Sequence, residues 1–255
     1  MELKRELIKD NSELRLDSRK QLRGNWGMAV LLILVFSIIT SAITYIGPKD
    51  QPYRIGVVLG WVLSGPFELG LVIAFMNIIR TQTVKFETIF DGFKKFGQAF
   101  LLQLLRTIFV ALWGIPAIIL FVIAFINFLG GAFSYRSWNP TMFFVFLILG
   151  LVANILPIIA YLRYSMAFYI LNDNPELSAM EALKESSRMT KGFKGKLFLL
   201  YLSFIGWFIL GTVALLIGLL WVVAYVKTAE ANFYENLKGA YSTPDSSAYS
   251  PYSEI

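Results

Sequence analysis

Hydrophobic positions in this chain fall into five long runs, which are separated by short polar segments. A hydrocarbon core of about 30 Å needs about 20 helical residues, because each residue advances a helix by about 1.5 Å. Each run reaches that length, and none shows the polar face of a helix at the surface of a soluble protein. The runs occupy residues 26–46, 55–79, 99–129, 142–162 and 197–226. The pattern therefore predicts an all-α, polytopic transmembrane helical bundle.

The last run decides whether the chain crosses the bilayer five or six times. Residues 197–226 would span about 45 Å as one helix, which is too long for one ordinary crossing and short for two. A turn near Gly211 and Thr212 would split the run into a hairpin. Six crossings return Lys227 and Lys238 to the cytoplasm, whereas five leave them outside. We predict about six spans in three hairpins, with five as the alternative: 26–46, 55–79, 99–127, 142–162, 197–211 and 213–237.

Lys and Arg residues are distributed unevenly between the runs. The segment before the first run carries seven of them, and the connections at 80–98 and 163–196 carry four and six. The two remaining connections carry two and one. Because basic residues accumulate on the cytoplasmic side of a membrane protein, the amino terminus is predicted to be cytoplasmic. Six spans place the carboxyl terminus there too, so we expect a multi-pass protein of the cell membrane.

Two terminal segments differ from the apolar runs. Residues 1–25 have Leu at roughly helical spacing among charged side chains, and no short apolar stretch with a cleavage site follows. They predict a cytoplasmic, amphipathic, basic helix, lying either on an anionic lipid surface or in solvent. Residues 239–255 are mostly Ser, Tyr, Pro and Ala, which predicts a disordered cytoplasmic tail. The transmembrane domain is then 26–238.

A similar turn precedes three of the apolar runs. Glycines flank aromatic or basic residues at 23–27, 92–97 and 192–195, each time after a helix-like stretch. We interpret these stretches as amphipathic interfacial helices, each of which introduces a two-helix hairpin. The alternative is that basic, aromatic and Gly residues collect wherever a chain enters a bilayer. The candidate interfacial anchors are Trp26, Phe93, Lys94, Lys95, Phe193 and Lys194.

Composition excludes several kinds of chemistry. Of 255 residues, 56% are hydrophobic and 16% are charged, against about 45–50% and about 25% in soluble domains. The chain has no Cys and no His, which excludes a Ser-His-Asp triad, a Cys nucleophile and ligation of zinc or haem by His or Cys. We therefore expect no enzymatic activity and no cofactor. The basic segments are expected to face anionic membrane lipids at the cytoplasmic surface, and no nucleic acid.

Polar residues inside the predicted spans are the candidate functional site, because a charge at the centre of a bilayer costs about 2.5–3.5 kcal/mol or more. Glu68 lies near the middle of the second span, and Arg106 lies about two turns into the third. We predict that the two form a pair lining a polar site. The alternatives are an Arg106 that reaches back to the interface and a protonated Glu68 bonded to a neighbouring helix. Asn154, beside a predicted helix break, completes the candidate site.

Several short motifs resemble those of a bacterial family of integral membrane proteins, domain of unknown function 975. They are Leu-Arg-Gly-Asn-Trp-Gly at 22–27, Ile-Phe-Asp-Gly-Phe-Lys-Lys-Phe at 89–96, Leu-Ser-Phe-Ile-Gly-Trp at 202–207, Leu-Trp-Val-Val-Ala-Tyr at 220–225 and Ala-Asn-Phe-Tyr at 231–234. The resemblance covers most of the chain and implies no biochemical activity. One departure is Ala224, where typical members have Pro. An Ala restores the backbone donor that Pro lacks, so the last helix is expected to be straight there.

Three functional interpretations remain open from the sequence, of which a membrane enzyme is the least favoured, and the other two are as follows. One is a non-enzymatic membrane component with an accessory or interaction role, which binds a membrane protein partner or a second copy of itself. The other is a transporter, or a protein that handles lipids or amphiphiles, with Glu68, Arg106 and Asn154 in a polar cavity. The first interpretation is preferred, because the residue pattern contains no catalytic constellation and only scattered polar groups in the spans.

Overall fold

The computed structural model describes residues 8–46, 55–133, 139–214 and 217–242, and within these ranges the chain forms helices and no strand. The all-α prediction is therefore confirmed. A 3₁₀ helix over Phe86–Lys95 is the only element in the described ranges that is not α-helical. In chain order the α-helices are α1 (Asn11–Gln21), α2 (Trp26–Thr44), α3 (Ile55–Thr81), α4 (Phe96–Phe133), α5 (Pro140–Ala153), α6 (Ile155–Tyr164), α7 (Ala167–Asp173), α8 (Ala179–Met189), α9 (Lys194–Leu202), α10 (Ile205–Val213) and α11 (Gly218–Ser242).

Five helical stretches of the described chain are long and apolar enough to cross a membrane. Their outer surfaces are apolar as well: Ile118 and Ile126 on α4 and Leu151 on α5 each expose about 60% of their surface. So much outward apolar surface is stable only against lipid or another protein. The stretches are Trp26–Thr44, Ile55–Thr81, Phe86–Leu129, Pro140–Asp173 and Lys194–Val213. The chain is a membrane protein built as a helical bundle.

The last apolar run forms a helical hairpin. Helix α10 ends at Val213 and α11 begins at Gly218, a few residues beyond the predicted turn at Gly211 and Thr212. The two helices pack closely at the turn, where a Cβ on Gly211 would lie 3.1 Å from the Gly218 carbonyl carbon. Helix α11 runs without interruption past Ala224, as the missing Pro predicts. Because α11 also carries charged residues, it is not among the five most apolar stretches.

Helices α1 and α8 are built alike, which supports the predicted repeat at two of its three positions. Both have 11 residues, and each is followed three residues later by a glycine with positive φ, Gly24 at 85° and Gly192 at 88°. A side chain would be strained there, so glycine ends each helix and turns the chain into the next one. Equivalent residues are fully buried in both, two within each helix and one at its C-cap: Leu14, Ser18 and Leu22 for α1, and Ala182, Ser186 and Thr190 for α8.

The middle copy of the repeat has a different structure. The helix-like stretch of this copy forms the 3₁₀ helix. The glycine of its turn, Gly92, is not one of the positive-φ residues of the described chain. The structure differs here because the backbone of the 3₁₀ helix packs directly against the backbone of α3. A Cβ on Gly92 would lie 2.0 Å from the Pro66 carbonyl oxygen, and a Cβ on Gly70 would lie 1.9 Å from the Ile89 carbonyl oxygen. The 3₁₀ helix therefore lies directly against the turn of α3 that carries Glu68.

Helix α1 docks onto the rest of the protein through one face. The Asn232 amide of α11 donates to Ser18 Oγ at 3.0 Å and to Gln21 Oε1 at 2.6 Å, and the Gln21 amide donates back to Asn232 Oδ1 at 3.1 Å. The Tyr225 hydroxyl donates to the Arg15 carbonyl at 2.9 Å. The predicted amphipathic helix thus uses its apolar face for tertiary packing. Residues 1–7 lie outside the described part of the chain.

The predicted terminal tail is wrong in its boundary. Residues 239–242 belong to α11, so the prediction of disorder from Gly239 is wrong for these four, and 243–255 lie outside the described residues.

The helix break predicted beside Asn154 is present, between α5 and α6. Pro66 and Pro116, by contrast, lie within α3 and α4, which continue through them.

Candidate functional site

An ion pair joins α3, the second of the five apolar stretches, to α11. Glu68 lies on α3, and its Oε1 is 2.8 Å from the Nζ of Lys227 on α11. Only 22% of the Glu68 side chain and 18% of the Lys227 side chain are exposed. Two opposite charges in this setting attract strongly because little water screens them. The pair therefore ties α11 to the turn of α3 that the 3₁₀ helix covers.

A second carboxylate approaches Lys227 from the same helix. Glu230 follows Lys227 by three residues, and its Oε2 lies 3.4 Å from Lys227 Nζ. The Tyr169 hydroxyl of α7 donates to that oxygen at 3.2 Å. Lys227 is thus held between two carboxylates from two helices. We call Glu68, Lys227, Glu230 and Tyr169 the charge cluster.

Arg106 occupies a different position from the predicted one. The direct partner of Glu68 is Lys227, whereas the Arg106 guanidinium donates to Gln103 at 2.7 Å and lies 4.8 Å from the centre of the Phe168 ring. Gln103 in turn lies against Gly65, about one turn before Glu68 on α3. The predicted direct pair is therefore wrong in its partner, although it placed both residues in one region. The Arg106 cation lies over the face of the buried Phe168 ring.

Asn154 is separate from the charge cluster. Its side-chain amide donates to the Gly150 carbonyl of the preceding turn at 2.8 Å, and its backbone N–H bonds to Gly150 and Leu151. These bonds satisfy carbonyls at the end of α5, where the helical pattern is interrupted. Asn154 therefore has a structural role at the helix break and adds nothing to a polar cavity.

The predicted interfacial anchors comprise three packed aromatic residues and three lysines, one exposed and two half-buried. Phe193 is 3% exposed, and the Phe93 ring packs edge-on to Phe67 with ring centres 4.8 Å apart. Trp26 lies edge-on to Tyr225 at 6.3 Å. These three rings fill the protein interior at least in part, since the turns that carry them fold back onto neighbouring helices. Lys94 is exposed and pairs with Asp91 at 2.7 Å, and Lys95 and Lys194 are half-buried.

A second set of charges lies further along α11. Asp173, at the end of α7, has a side chain only 5% exposed, and both of its oxygens accept from the Arg80 guanidinium at 2.8 Å. Lys238 Nζ lies 2.5 Å from the same carboxylate, and the Tyr234 hydroxyl donates to it at 3.1 Å. Arg80 also binds Glu235. We call these five residues the Asp173 cluster, and it fixes α3, α7 and α11 to one another.

Stacked tyrosines connect the two sets of charges. The rings of Tyr169 and Tyr234 lie with centres 5.4 Å apart and planes 28° apart. Tyr169 bonds to Glu230 in the charge cluster, and Tyr234 bonds to Asp173. Helix α11 thus carries a continuous line of polar contacts along the face that packs on α3 and α7.

Sequence reasoning expected Lys227 in the cytoplasm, whereas it pairs with Glu68 inside the bundle, and it did not assign Glu230 or Asp173 to these sites. A signal for Lys227 and Glu230 was present, because both lie inside the predicted span 213–237, where charged side chains are costly. Asp173 had no such signal, since it follows a membrane helix in a polar segment. Across the described ranges, no group of three or more Asp and Glu is placed to hold a metal ion. The arrangement offers ion pairing and hydrogen bonding between helices.

Comparisons with known proteins identify the family. The family model described as "Protein of unknown function (DUF975)" matches residues 1–241. No curated protein and no solved structure matches the chain. The match covers α1 to α11 almost completely, including both sets of charges. The chain therefore belongs to the DUF975 family of proteins of unknown function.

Proposed function

We propose that this protein is a non-enzymatic, integral component of the cell membrane with an accessory or interaction role. The observation that carries the proposal is that every charged side chain of the charge cluster already has a partner inside the bundle. Lys227 pairs with Glu68 and Glu230, and the Tyr169 hydroxyl donates to Glu230. No charged group of this cluster is left unpaired to attract an ionic substrate.

The packing around the charge cluster supports the same proposal. A transport site has to release its charged groups from one another and expose them to water on each side of the membrane. Glu68 instead lies on a helical turn whose backbone touches the 3₁₀ helix at Gly70 and Gly92. Lys227 is on a helix that the Asp173 cluster also holds. Separating Glu68 from Lys227 would require breaking both contacts. The charge cluster therefore holds α3 and α11 together.

A transporter, or a protein that handles lipids or amphiphiles, is the competing function. It is favoured by the chemistry of the charge cluster, where an ion pair meets tyrosine hydroxyls within the bundle. It requires water to reach the cluster at some stage of a transport cycle. The accessory role requires no such access, so the two functions differ in a property that can be measured directly.

Water access can be tested with single cysteines, because the chain has none of its own. Ala231 is fully buried and lies one helical turn from Lys227 on the same face of α11. We expect the Ala231→Cys variant in native vesicles to resist a membrane-impermeant maleimide applied from both sides. Lys20→Cys, an exposed position on α1, is the positive control. Labelling of Ala231→Cys in the folded protein, at a rate near that of the control, would favour the transporter.

We also propose that both termini face the cytoplasm. The proposal is supported by the uneven distribution of Lys and Arg and by the hairpin that brings α11 back alongside α10. Lys20→Cys should then react in inside-out vesicles only, and Thr141→Cys, at the exposed start of α5, in right-side-out vesicles only. Reaction of both cysteines from the same side would contradict the proposed orientation.

A further inference from the structure

A cleft of about 490 Å³ opens between α4, α6 and α8, away from the charge cluster. Four of its lining residues are basic, and no Asp or Glu lines it. The remaining lining residues are apolar, aromatic or hydroxyl-bearing. The basic ones are Arg163, Lys184, Arg188 and Lys191, and the others are Phe109, Tyr164, Met180, Leu183 and Ser187.

Hydrogen bonds from α8 hold the basic wall of the cleft in place. Ser186 Oγ and Thr190 Oγ1 both donate to the Arg163 carbonyl, at 3.0 and 3.2 Å, and both residues are fully buried. The Arg163 side chain donates through Nε to Ser187 Oγ at 2.5 Å. The guanidinium is therefore oriented by a hydroxyl and a fixed backbone. An oriented guanidinium is well suited to bind two oxygens of a phosphate.

The positive charge of the cleft is only partly compensated. Glu185 is engaged with Arg188, at 2.6 and 2.8 Å. Glu181 is held at the start of α8, where the Ser178 hydroxyl and backbone N–H bond to its carboxylate and lower its pKa. No Asp or Glu of the described ranges forms an ion pair with Arg163, and Lys194 adds a further positive charge beside it. An anion would thus complete the cleft.

The apolar side of the cleft adjoins the membrane. Phe109 lies on α4, next to Ile108 and near Leu112, which are 44% and 53% exposed. Arg163 is at the end of α6, whose Ile159 is 43% exposed on the preceding turn. A molecule with a phosphate in the cleft would therefore place an attached hydrocarbon chain along these outward apolar side chains. A phospholipid has this combination of groups, and basic pockets between membrane helices bind such headgroups.

We propose that this cleft binds the phosphate headgroup of an anionic phospholipid of the cytoplasmic leaflet. Arg163 binds the phosphate, Lys184 and Lys191 surround it with positive charge, and the acyl chains run along α4 and α6. The proposal rests on the orientation proposed above, which places the basic segment 163–196, and α8 within it, on the cytoplasmic side. It is independent of the accessory role. It would survive if the charge cluster proved to be a transport site.

Binding can be measured by native mass spectrometry of the detergent-solubilised protein titrated with phosphatidylglycerol or with phosphatidylcholine. We expect preferential retention of phosphatidylglycerol. The Arg163→Gln/Lys191→Gln variant should weaken that retention about tenfold or more, because each basic residue near an anionic headgroup strengthens binding severalfold. The matched control is Lys20→Gln/Lys94→Gln, which removes the same charge at exposed positions outside the cleft. The control should retain the lipid as the unaltered protein does.

Three further measurements separate the possible outcomes. Arg163→Lys/Lys191→Arg keeps the charge of the cleft but loses the guanidinium fork at position 163, so its affinity for phosphatidylglycerol should lie between those of the unaltered protein and the Gln variant. The Gln variant should elute from a size-exclusion column as the unaltered protein does, which shows that its loss of binding is not unfolding. Displacement of the lipid by excess inorganic phosphate would identify a site for free phosphate instead. Equal retention of the two lipids, or equal losses in the cleft variant and its control, would overturn the proposal.

Discussion

The Lys227→Met variant should lose about 3–5 kcal/mol of its free energy of unfolding. Methionine has similar length and no charge, so the change removes the cation that Glu68 and Glu230 share while preserving most of the packing. Both carboxylates would then remain largely buried without their ion partner. Such a group costs more than the original pair contributes, because its desolvation is no longer offset. The loss can be measured by reversible unfolding in mixed micelles followed by circular dichroism.

Two controls show whether this loss comes from the stranded charges. Lys20→Met removes an exposed lysine of α1 and should change the free energy of unfolding by no more than about 0.5 kcal/mol. The triple variant Glu68→Gln/Lys227→Met/Glu230→Gln removes all three charges together and should recover most of the stability. If Lys227→Met proved as stable as Lys20→Met, the ion pair would not stabilise the packing of α3 against α11.

Gly70→Ala is expected to prevent normal packing of the 3₁₀ helix and to reduce accumulation of folded protein in the membrane severely. The added methyl group would lie 1.9 Å from the Ile89 carbonyl oxygen, which is backbone and has no rotamer with which to move away. The two segments must separate, so buried contacts around Gly70 and Gly92 are lost. Overpacking of this kind costs about 1–3 kcal/mol or more. Folded yield can be followed by fluorescence size-exclusion chromatography.

Gly114→Ala is the matched substitution for this experiment. Gly114 lies within α4, and a Cβ there would meet no atom within 4 Å. An added methyl group at such a helical position should raise stability by about 0.4–1 kcal/mol, because alanine has less conformational freedom to lose on folding. Equal yields of the two variants would show that the contact between α3 and the 3₁₀ helix is not needed for folding.

Both experiments alter the packing of α3, which helix α11 holds together with α1 and α7. Helix α11 binds α1 through Asn232, α3 through Lys227 and α7 through Lys238. Each contact is polar and lies at a different level of the helix. Apolar packing alone discriminates poorly between helices that are surrounded by lipid. The polar contacts therefore specify which helices meet α11 and in what register, which suits a rigid membrane component.

The sequence alone determined the helices and the class of protein, a membrane protein. Long apolar runs can satisfy their backbone hydrogen bonds in lipid only as helices, so composition and length were sufficient for this conclusion. Local signals also determined the turns at Gly24 and Gly192, since a positive φ is a property of a few residues. The same is true of the reversal after α10, which a glycine and the excess length of the run indicated.

Only the tertiary structure decided the partners of the polar residues. Glu68 and Arg106 lie in consecutive predicted spans and were expected to pair, yet Glu68 binds Lys227 on the last helix. The pairing depends on the rotation of α11 about its axis, and distant contacts such as Asn232 with Ser18 determine that rotation. The 3₁₀ helix at Gly92 and the interior position of Phe193 likewise depend on neighbouring helices. Local patterns predict which residues are polar or flexible, whereas their contacts arise from packing between segments far apart in the chain.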